Sequence, residues 1–561
     1  MSTFFANINE LNEFDVFKRA GYRIVEGGEI LVRVERIHLG YLFRTFVKGV
    51  IQDVVLFEFQ RPAEIFVNNW QSWGPARVVG KDFPFSFPIE LRKKFGYSAS
   101  IMPEVYFDNL ISDYFMGSDK FLIGALSSRI GHPYLLIDPE TVKVKLNLFG
   151  RHFADWTEVE KFVVLKGEID WLLPYYADLV AKENGVELKA KNFVGWSSWY
   201  QYFLDFDYQK MMADLDKSKC LGYQVFQIDD GWERDIGDWE PNEKFPALTR
   251  IASDIRSYGY VPGIWLAPFS VSETSSISKN HSDWLVKDEN GNPKVAYQNW
   301  NKNIYALDTT NPEAKEWLRT LFLNLKDAGF GYFKIDFLFA GAIQGKRHDN
   351  CTPVEAYIQG LKIIREAVGD SFVLGCGAPL WPSIGFVDGM RIGADTAPFW
   401  DPNGPDIGYP NAYYALRNVF TRWFMNGVLW WNDPDCLLLR CEDTQLNDSQ
   451  RQLYAFTSLL LDNILVQSDN LSYKIDHDLW KRIMTIRSYG KRMVNLKGLM
   501  DGQYEITSAG VDGVHKLLVK DLKIPTFRIE FDEERVKLVK KIEKRSDGRT
   551  FNYYEEREKL E

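Results

Sequence analysis

The stretch Tyr332-Phe333-Lys334-Ile335-Asp336-Phe337-Leu338 has the pattern of a short, buried β-strand that carries two charged side chains. Lys334 and Asp336 are two residues apart, so on a strand they lie on the same face. The same apolar pattern recurs through the middle of the chain. Eight candidate strands are found, at residues 193–199, 224–228, 261–267, 332–338, 372–376, 389–392, 428–432 and 464–467.

Amphipathic stretches with helical periodicity separate these strands. They span residues 208–219, 248–258, 312–328, 353–368, 411–424 and 449–461. Asn311 precedes Pro312, which is the order expected of an N-cap and a first helical residue. Eight candidate strands that alternate with helical stretches predict a central α/β domain with the (β/α)8 TIM-barrel fold.

Both flanks of the barrel have a different pattern. From about residue 22 to residue 180, and again after about residue 490, short runs alternate between apolar and polar residues, which is typical of antiparallel strands. We therefore predict an N-terminal β-sandwich domain at residues 1–183, a catalytic barrel at 184–489 and a small all-β C-terminal domain at 490–561. The charged stretch from residue 537 is predicted to be a solvated strand and chain end.

Composition excludes several classes of function. The net charge of −10 and the lack of clustered Lys and Arg before the tail argue against binding to nucleic acid or an acidic membrane. Residues 1–21 have the pattern of neither a signal peptide nor a membrane anchor. Five unclustered cysteines favour a reducing, cytoplasmic location, and seven scattered histidines give no support for a metal site. We expect no cofactor, and either a monomer or a homo-oligomer.

Polar residues gather where the predicted strands end. Because the active site of such a barrel lies at the carboxyl ends of its strands, these residues are expected to face one space. They are Asp229 and Asp230 after the second strand, Trp265 in the third, Lys334 and Asp336 in the fourth, Cys376 in the fifth, and Arg391 and Asp395 at the sixth.

Two of these carboxylates have contrasting surroundings. Lys334 beside Asp336 is expected to keep that carboxylate ionised and able to attack carbon. Asp395 is followed by Pro398, Phe399 and Trp400, and poor solvation among apolar groups raises a carboxyl pKa, which suits a proton donor. Either pattern alone also fits a buried structural ion pair. Together, two carboxylates in two roles suggest glycoside hydrolysis.

The adjacent pair Asp229-Asp230 needs a ligand or a partner, since neighbouring carboxylates repel each other. A metal ion is one explanation, and a polyhydroxylated ligand is the one we favour because other metal ligands are scarce nearby. Trp70, Trp199 and Trp265 are interpreted either as core residues or as surfaces on which sugar rings stack. Cys376 is interpreted as a small wall residue because no histidine motif accompanies it.

Five motifs, taken in order, resemble the melibiase-type α-galactosidases of glycoside hydrolase family 36. They are Gly-Trp-Ser-Ser-Trp at 195–199, Ile-Asp-Asp-Gly-Trp at 228–232, Ile-Trp-Leu-Ala-Pro at 264–268, Lys-Ile-Asp-Phe at 334–337 and Arg-Ile-Gly-Ala-Asp-Thr at 391–396. The chain is shorter than many bacterial members of that family. Its fifth-strand sequence at 374–379 also lacks the Gly- and Ser-rich run of the larger members, so the acceptor side is expected to differ.

The resemblance implies a retaining double displacement without a metal, with Asp336 as nucleophile and Asp395 as acid/base. It further implies that the sugar hydroxyls are bound by Asp229, Asp230 and Lys334, that Arg391 and Cys376 shape the far wall, and that Trp70, Trp196, Trp199 and Trp265 supply apolar surface. The alternatives are an α-N-acetylgalactosaminidase, a transglycosylase similar to the raffinose synthases and a catalytically silent glycan-binding protein. The expected substrate is an α-galactoside oligosaccharide of the raffinose or melibiose type.

Overall fold

The centre of the chain folds as the predicted barrel of eight parallel strands. A computed structural model describes residues 21–25, 27–83, 101–106, 109–532, 536–544 and 550–559. Seven strands of the barrel are Val194–Ser197, Val225–Ile228, Val261–Leu266, Tyr332–Ile335, Phe372–Gly375, Gly389–Arg391 and Leu465–Gln467, and the remaining one is divided into Trp431–Asp433 and Cys436–Leu437. All neighbours pair in parallel, and the last strand pairs with the first, so the sheet closes.

The seventh strand begins later than its predicted start at residue 428. Val428 and Leu429 instead donate backbone hydrogen bonds to the Met425 carbonyl, at the end of a 3₁₀ turn. The strand runs on past the predicted end, and its first part pairs with the sixth strand and its second part with the eighth. This shift places Asp433 and Asp435 at the carboxyl end of the barrel.

All six predicted helices are present. Their observed bounds are Tyr208–Ser218, Leu248–Ser257, Pro312–Ala328, Pro353–Val368, Ala412–Thr421 and Asp448–Leu460. The Asn311 side chain accepts hydrogen bonds from the backbone N–H groups of Glu313 and Ala314, as its position before Pro312 predicts. Two further long helices, Ile169–Glu183 and His477–Ser488, were not predicted.

Short helical segments fill several connections. They are the α-helices Pro103–Tyr106, Trp199–Tyr202, Ser276–Asn280 and Leu380–Ser383 and the 3₁₀ turns Phe203–Asp205, Ser282–Trp284, Leu338–Ala342 and Trp423–Met425. Among the residues that the structure describes, no helix is long and apolar enough to cross a membrane.

The N-terminal region is an antiparallel β domain. Its strands are Gly21–Val25, Gly28–Ile37, Gly40–Gln60, Glu64–Val67, Arg77–Gly80, Leu110–Asp113, Phe115–Gly117, Phe121–Ala125, His132–Ile137 and Thr141–Lys166. They form one continuous ten-stranded sheet. The two longest strands pair over most of their length with several register shifts, so they run through the whole domain. Residues 1–20, which include most of the segment predicted to be neither signal nor anchor, lie outside the described residues.

The C-terminal region is also built from antiparallel strands. Met493–Lys497, Tyr504–Gly510, Gly513–Asp521 and Thr526–Asp532 form a four-stranded sheet, and Val536–Lys544 pairs with Thr550–Lys559 in a hairpin. Two small antiparallel sheets are inserted in barrel loops. One joins Glu233–Asp235 to Asp238–Pro241, and the other contains Ser270–Ser272, Val295–Asn299 and Lys302–Ala306.

A buried cation joins the N-terminal domain to the barrel. The fully buried guanidinium of Arg422 donates to the carbonyls of Ser72 and Ile392 and to the side-chain oxygen of Asn68. The Ser72 backbone N–H in turn donates to the carbonyl of Ala378 at 2.9 Å. These bonds fix the loop that follows the strand Glu64–Val67 against the carboxyl end of the barrel.

Helix capping gives a direct test of the barrel's local energetics. Asn447 is exposed, and it accepts from the Gln450 backbone N–H at 3.0 Å, while the Gln450 side chain accepts from the Asn447 N–H at 2.9 Å. Asn447→Ala removes the cap of Asp448–Leu460 and is expected to lower the free energy of unfolding by about 1 kcal/mol. Urea unfolding measures the change, and Asn447→Asp, which keeps the cap, serves as the control. Equal free energies of unfolding for Asn447→Ala and Asn447→Asp would contradict the role of Asn447 as the cap of this helix.

Candidate active site

The carboxyl ends of the barrel strands open into one cavity of about 860 Å³. Seven of the predicted site residues line it, namely Trp199, Asp229, Asp230, Trp265, Lys334, Asp336 and Asp395. The other lining residues are Trp73, Leu204, Glu273, Gln298, Asn299, Trp300, Asn301, Lys302, Asn303 and Phe337. The floor of the cavity is therefore charged. Its walls combine indole rings with the amide side chains of Gln298, Asn299, Asn301 and Asn303.

Lys334 is a nearly buried cation on the floor of the cavity. Its ammonium lies 2.9 Å from the Asp229 carboxylate and 3.9 Å from that of Asp336. Burial by itself would lower the pKa of Lys334, but attraction to Asp229 and Asp336 outweighs it and holds the pKa well above its usual range. The closer partner is thus Asp229, whereas the sequence pattern predicted Asp336.

Asp229 is held from several sides. Its Oδ2 accepts from the Gln227 amide as well as from Lys334, and its backbone N–H donates to the Ser198 hydroxyl at 2.9 Å. Gln227 and Asp229 lie on the same face of the second strand and its extension. The carboxylate is therefore fixed in orientation before any ligand binds.

Asp336 follows the fourth strand and faces the same space. Its Oδ2 accepts from the indole N–H of Trp265 at 3.1 Å, and its Oδ1 accepts from the backbone N–H of Phe337 at 2.7 Å. Phe337 has a φ of 50°, a left-handed conformation that is uncommon outside glycine and typical of functional sites. This turn aims a backbone donor at the carboxylate, so Asp336 is oriented by two N–H groups and one ammonium.

Asp230 points toward the outer wall of the cavity. Its Oδ2 accepts from the indole N–H of Trp300 at 2.9 Å, and its carboxyl group lies against that of Glu233. Burial, with repulsion from Glu233, raises the pKa of Asp230 well above its usual range, and burial raises the pKa of Glu233 as well. Two such neighbouring carboxyl groups share a proton more readily than they carry two charges.

Arg391 is a second buried cation, and it lies among three carboxylates. Its guanidinium is 2.7 Å from Asp435, 2.9 Å from Asp395 and 3.3 Å from Asp433. Asp433 and Asp435 are buried behind it, whereas Asp395 exposes about 34% of its side chain to the cavity. Arg391 therefore contacts one carboxyl group that is exposed to the cavity, that of Asp395, and two that are buried, those of Asp433 and Asp435.

The Asp395 carboxyl group has the properties of a proton donor. Burial raises its pKa to about 7, Arg391 opposes the rise, and Asp435 and Asp336 add to it. The exposed part of the side chain faces the cavity. The raised pKa expected from the sequence is therefore found, with burial as its largest cause.

Two predicted contacts with a ligand are not possible. Trp70 is fully buried between the N-terminal domain and the barrel, where Tyr114 donates to its carbonyl. Trp196 is fully buried as well, stacked on Phe226 at 4.2 Å with its indole N–H bonded to the Asp469 carbonyl. Both are core residues, Trp196 within the first barrel strand and Trp70 in the loop after Glu64–Val67, so we correct their assignment to the substrate-binding wall.

Cys376 and Arg391 lie behind the cavity surface rather than in it. The Cys376 thiol is fully buried and accepts from the indole N–H of Trp73 at 3.3 Å. Trp73 is the residue that reaches the cavity from the N-terminal loop, three positions after Trp70, and its ring meets that of Phe337 edge-on at 5.0 Å. Trp73 therefore lines the cavity in the place that was predicted for Trp70.

Trp300 was missed because it lies outside the barrel strands. It occupies the tip of the hairpin formed by Val295–Asn299 and Lys302–Ala306, which we call the Trp300 hairpin. Trp300 and Asn301 both have positive φ, at 50° and 57°, as a type I′ turn requires. The polar run at 298–303 around one tryptophan was the available signal.

Comparison with known families follows this architecture along the chain. Residues 33–166 match the family model for the N-terminal domain of α-galactosidases, and residues 175–368 match the melibiase model. The two matches together cover more than half of the chain.

The chain belongs to the melibiase-type family, glycoside hydrolase family 36. An α-galactosidase of Lactobacillus acidophilus is 28% identical to it over 151 residues, which are 25% of this chain and 19% of that protein. The aligned part thus spans about a fifth of that relative's length.

Solved structures match over a much greater length. The α-galactosidase of Thermus thermophilus in complex with p-nitrophenyl α-D-galactopyranoside has a TM-score of 0.70 and 25% identity, and the match covers 87% of this chain and 98% of that one. The same enzyme in complex with stachyose gives a TM-score of 0.68 at 25% identity, and the match covers 83% of this chain and 99% of that one.

Among the residues described here, no group of three or more His, Cys, Asp or Glu has a metal-binding arrangement.

The raised pKa of Asp395 can be measured without any substrate. Because that pKa is about 7, wild-type protein is expected to release one proton more than Asp395→Asn between about pH 5 and about pH 9. Potentiometric difference titration of the two proteins measures this proton. The control is Asp216→Asn, since Asp216 is exposed and its pKa is lowered by a hydrogen bond from Tyr258. Identical titration curves for wild type and Asp395→Asn would contradict the assignment.

Proposed function

We propose that this protein is a retaining exo-α-galactosidase that hydrolyses terminal α-D-galactosyl residues of raffinose- or melibiose-type oligosaccharides. The observation that supports it best is the pair Asp336 and Asp395, which line one cavity in contrasting surroundings. The family membership and the galactoside complexes of the Thermus enzyme support the same substrate class.

In the first step, the ionised Asp336 carboxylate attacks the anomeric carbon of the bound galactoside. The carbon–oxygen bond to the leaving group breaks, and Asp395 gives its proton to that departing oxygen. The product is a β-galactosyl ester on Asp336 and a free alcohol. A carboxyl group whose pKa is about 7 still carries this proton over much of the neutral range.

In the second step, the Asp395 carboxylate takes a proton from a water molecule as that water attacks the ester carbon. The bond to Asp336 breaks, and α-galactose is released with the acid of Asp395 restored. Two inversions give net retention. The route requires the two carboxyl groups to lie about 5 to 5.5 Å apart in the complex with substrate.

The floor of the cavity is suited to a polyhydroxylated ring. Asp229 and Asp230 offer acceptors and Lys334 offers donors, so we assign to them the hydroxyls of the galactose, including the axial 4-hydroxyl. The rings of Trp199 and Trp265 supply apolar surface for the C–H faces of the sugar. Trp73 and Trp300 join this wall, in place of Trp70 and Trp196.

The alternative reactions have less support. An α-N-acetylgalactosaminidase would need extra space near Cys376, and that region is filled by Trp73, whose ring would lie 3.0 Å from a Cβ placed on Gly377. A transglycosylase would need an acceptor site that outcompetes water.

We also infer a cytoplasmic location, because all five cysteines are unpaired thiols.

Loss of the nucleophile gives a chemical test. Asp336→Ala is expected to lower turnover of p-nitrophenyl α-galactoside by at least about 10³-fold, because no covalent intermediate can form. Azide, a small external nucleophile, is expected to restore turnover and to give β-galactosyl azide. The matched variant Asp395→Ala is expected to give the α-azide instead, since azide then attacks the galactosyl ester. Wild-type turnover by Asp336→Ala would contradict the proposal.

Substrate preference separates the candidate reactions. Wild-type enzyme is expected to prefer an aryl α-galactoside over the corresponding α-glucoside and α-N-acetylgalactosaminide by about 10²-fold or more in kcat/KM, because buried polar groups match the galactose hydroxyls. NMR of the reaction is expected to show α-galactose as the first product. A β anomer would exclude retention, and galactosyl transfer to sucrose in excess of hydrolysis would favour the transglycosylase.

A further inference from the structure

Asp435 lies in an unusual position, at the break between the two halves of the seventh barrel strand. Its φ is 78°, in the left-handed region, and its side chain is completely buried. The Asp435 backbone N–H donates to the Asp433 carboxylate at 2.9 Å, which stabilises this turn. The break therefore turns the Asp435 carboxylate inward, toward the back of the candidate active site.

The carboxylate of Asp435 connects three separate elements. One oxygen lies 2.7 Å from the Arg391 guanidinium at the end of the sixth strand. The other accepts from the Thr396 backbone N–H at 2.7 Å and from the Tyr200 hydroxyl, which belongs to the helix after the first strand. Thr396 directly follows Asp395. Thr396 and Tyr200 donate hydrogen bonds and Arg391 forms an ion pair, a set of partners that fits a carboxylate.

Asp435 also stabilises the positive charge of Arg391. Burial by itself would lower the pKa of Arg391, and attraction to Asp435 is the largest effect that raises it. Burial raises the pKa of Asp435 itself, and Arg391 opposes that rise. With Asp433 on the same guanidinium, the positive charge of Arg391 is already balanced before Asp395 is considered.

We propose that Asp435 is a positioning residue for the acid–base step. It holds Arg391 and the Asp395-Thr396 turn in fixed register, and it offsets the charge of Arg391 so that Asp395 can keep its proton. The proposal rests on the acid–base role assigned to Asp395 in the proposed function. Asp435 itself does not line the cavity and touches no reacting atom.

The ionisable groups that act on Asp395 come from several elements. Arg391 and Asp435 lie behind it, Asp336 and Lys334 face it from the fourth strand, and Tyr200 and Cys376 lie nearby. Arg391 and Lys334 favour the ionised form of Asp395, and Asp435 and Asp336 favour the protonated form. Loss of the Asp435 charge therefore leaves Arg391 to stabilise the ionised form.

Asp435→Asn tests the proposal with little change in shape. An amide oxygen can still accept from Thr396 and Tyr200, but the NH₂ group would then face the Arg391 guanidinium in place of a carboxylate oxygen. Since the group lost is negative, the basic limb of the kcat/KM profile for melibiose is expected to move to lower pH, by about one unit. At pH 7 this shift lowers the protonated fraction of Asp395 about fivefold, so the variant is expected to lose about fivefold or more in kcat/KM for melibiose.

A second substrate separates positioning of the acid from general damage. A 2,4-dinitrophenyl α-galactoside has a leaving group that needs no proton, so its kcat/KM at pH 7 is expected to change by less than about threefold. An equal loss for both substrates, with the basic limb unmoved, would overturn the proposal and leave Asp435 a purely structural residue.

The matched control is Asp469→Asn. Asp469 is also completely buried and lies 3.7 Å from an arginine, Arg440, but it contacts neither Arg391 nor the Asp395-Thr396 turn. Its variant is expected to keep the wild-type basic limb and to show no difference between the two substrates. A shift of the limb equal to that of Asp435→Asn would overturn the specific role of Asp435.

If Asp435→Asn does not fold, Asp433→Asn provides a second test of the charge-offsetting role. It removes a second carboxylate charge from Arg391, while its amide oxygen can still accept from the Asp435 N–H. Its basic limb is expected to move in the same direction, and an unmoved limb would refute the charge-offsetting role. Failure of wild-type protein to hydrolyse any α-galactoside would instead refute the proposed function, whatever the variants do.

Discussion

Two buried cations determine the arrangement of the charged floor of the barrel. Lys334 and Arg391 are 6% and 2% exposed, and a charge at such depth is stable only when carboxylates or other acceptors compensate it. Each cation has its closest carboxylate partner in a residue other than the two proposed to react, Asp229 for Lys334 and Asp435 for Arg391. The supporting carboxylates therefore balance much of the cationic charge.

This division explains how two aspartates in one cavity can take different roles. Asp336 faces two N–H donors and a more distant ammonium, whereas Asp395 faces a guanidinium that two buried carboxylates already compensate. The contrast arises from what lies behind each residue, because both share the same cavity. The charged residues that lie behind the cavity thus determine the different roles of Asp336 and Asp395.

The sequence predicted much of the framework because strand patterns carry local information. All eight barrel strands and six main helices were located, and Asp336 and Asp395 were placed on one cavity because the carboxyl ends of parallel strands meet. Asp433 and Asp435 were missed for a specific reason. The apolar run before them, 428–432, continues a 3₁₀ turn before it becomes a strand, and periodicity does not distinguish the two.

Contacts between distant segments could not be read from the sequence. Whether Trp70 or Trp73 reaches the cavity depends on how the N-terminal loop docks on the barrel, through bonds such as that from Arg422 to Ser72. The pairing of Lys334 with Asp229 depends on the distance between the second and fourth barrel strands, which lie on either side of the third. The Trp300 hairpin depends on a turn with two left-handed residues that a tryptophan rarely occupies.

In the proposed mechanism, Asp336 is the group that bonds to the sugar, and Asp395 donates and accepts the proton. A 5-fluorogalactosyl fluoride slows both steps yet carries a leaving group that departs readily, so it is expected to trap the ester. Mass spectrometry of the treated protein and its peptides measures the result. One added fluorogalactosyl group is expected on the peptide that contains Asp336. An adduct on Asp395 or Asp229, or turnover through a step that never labels the protein, would contradict it.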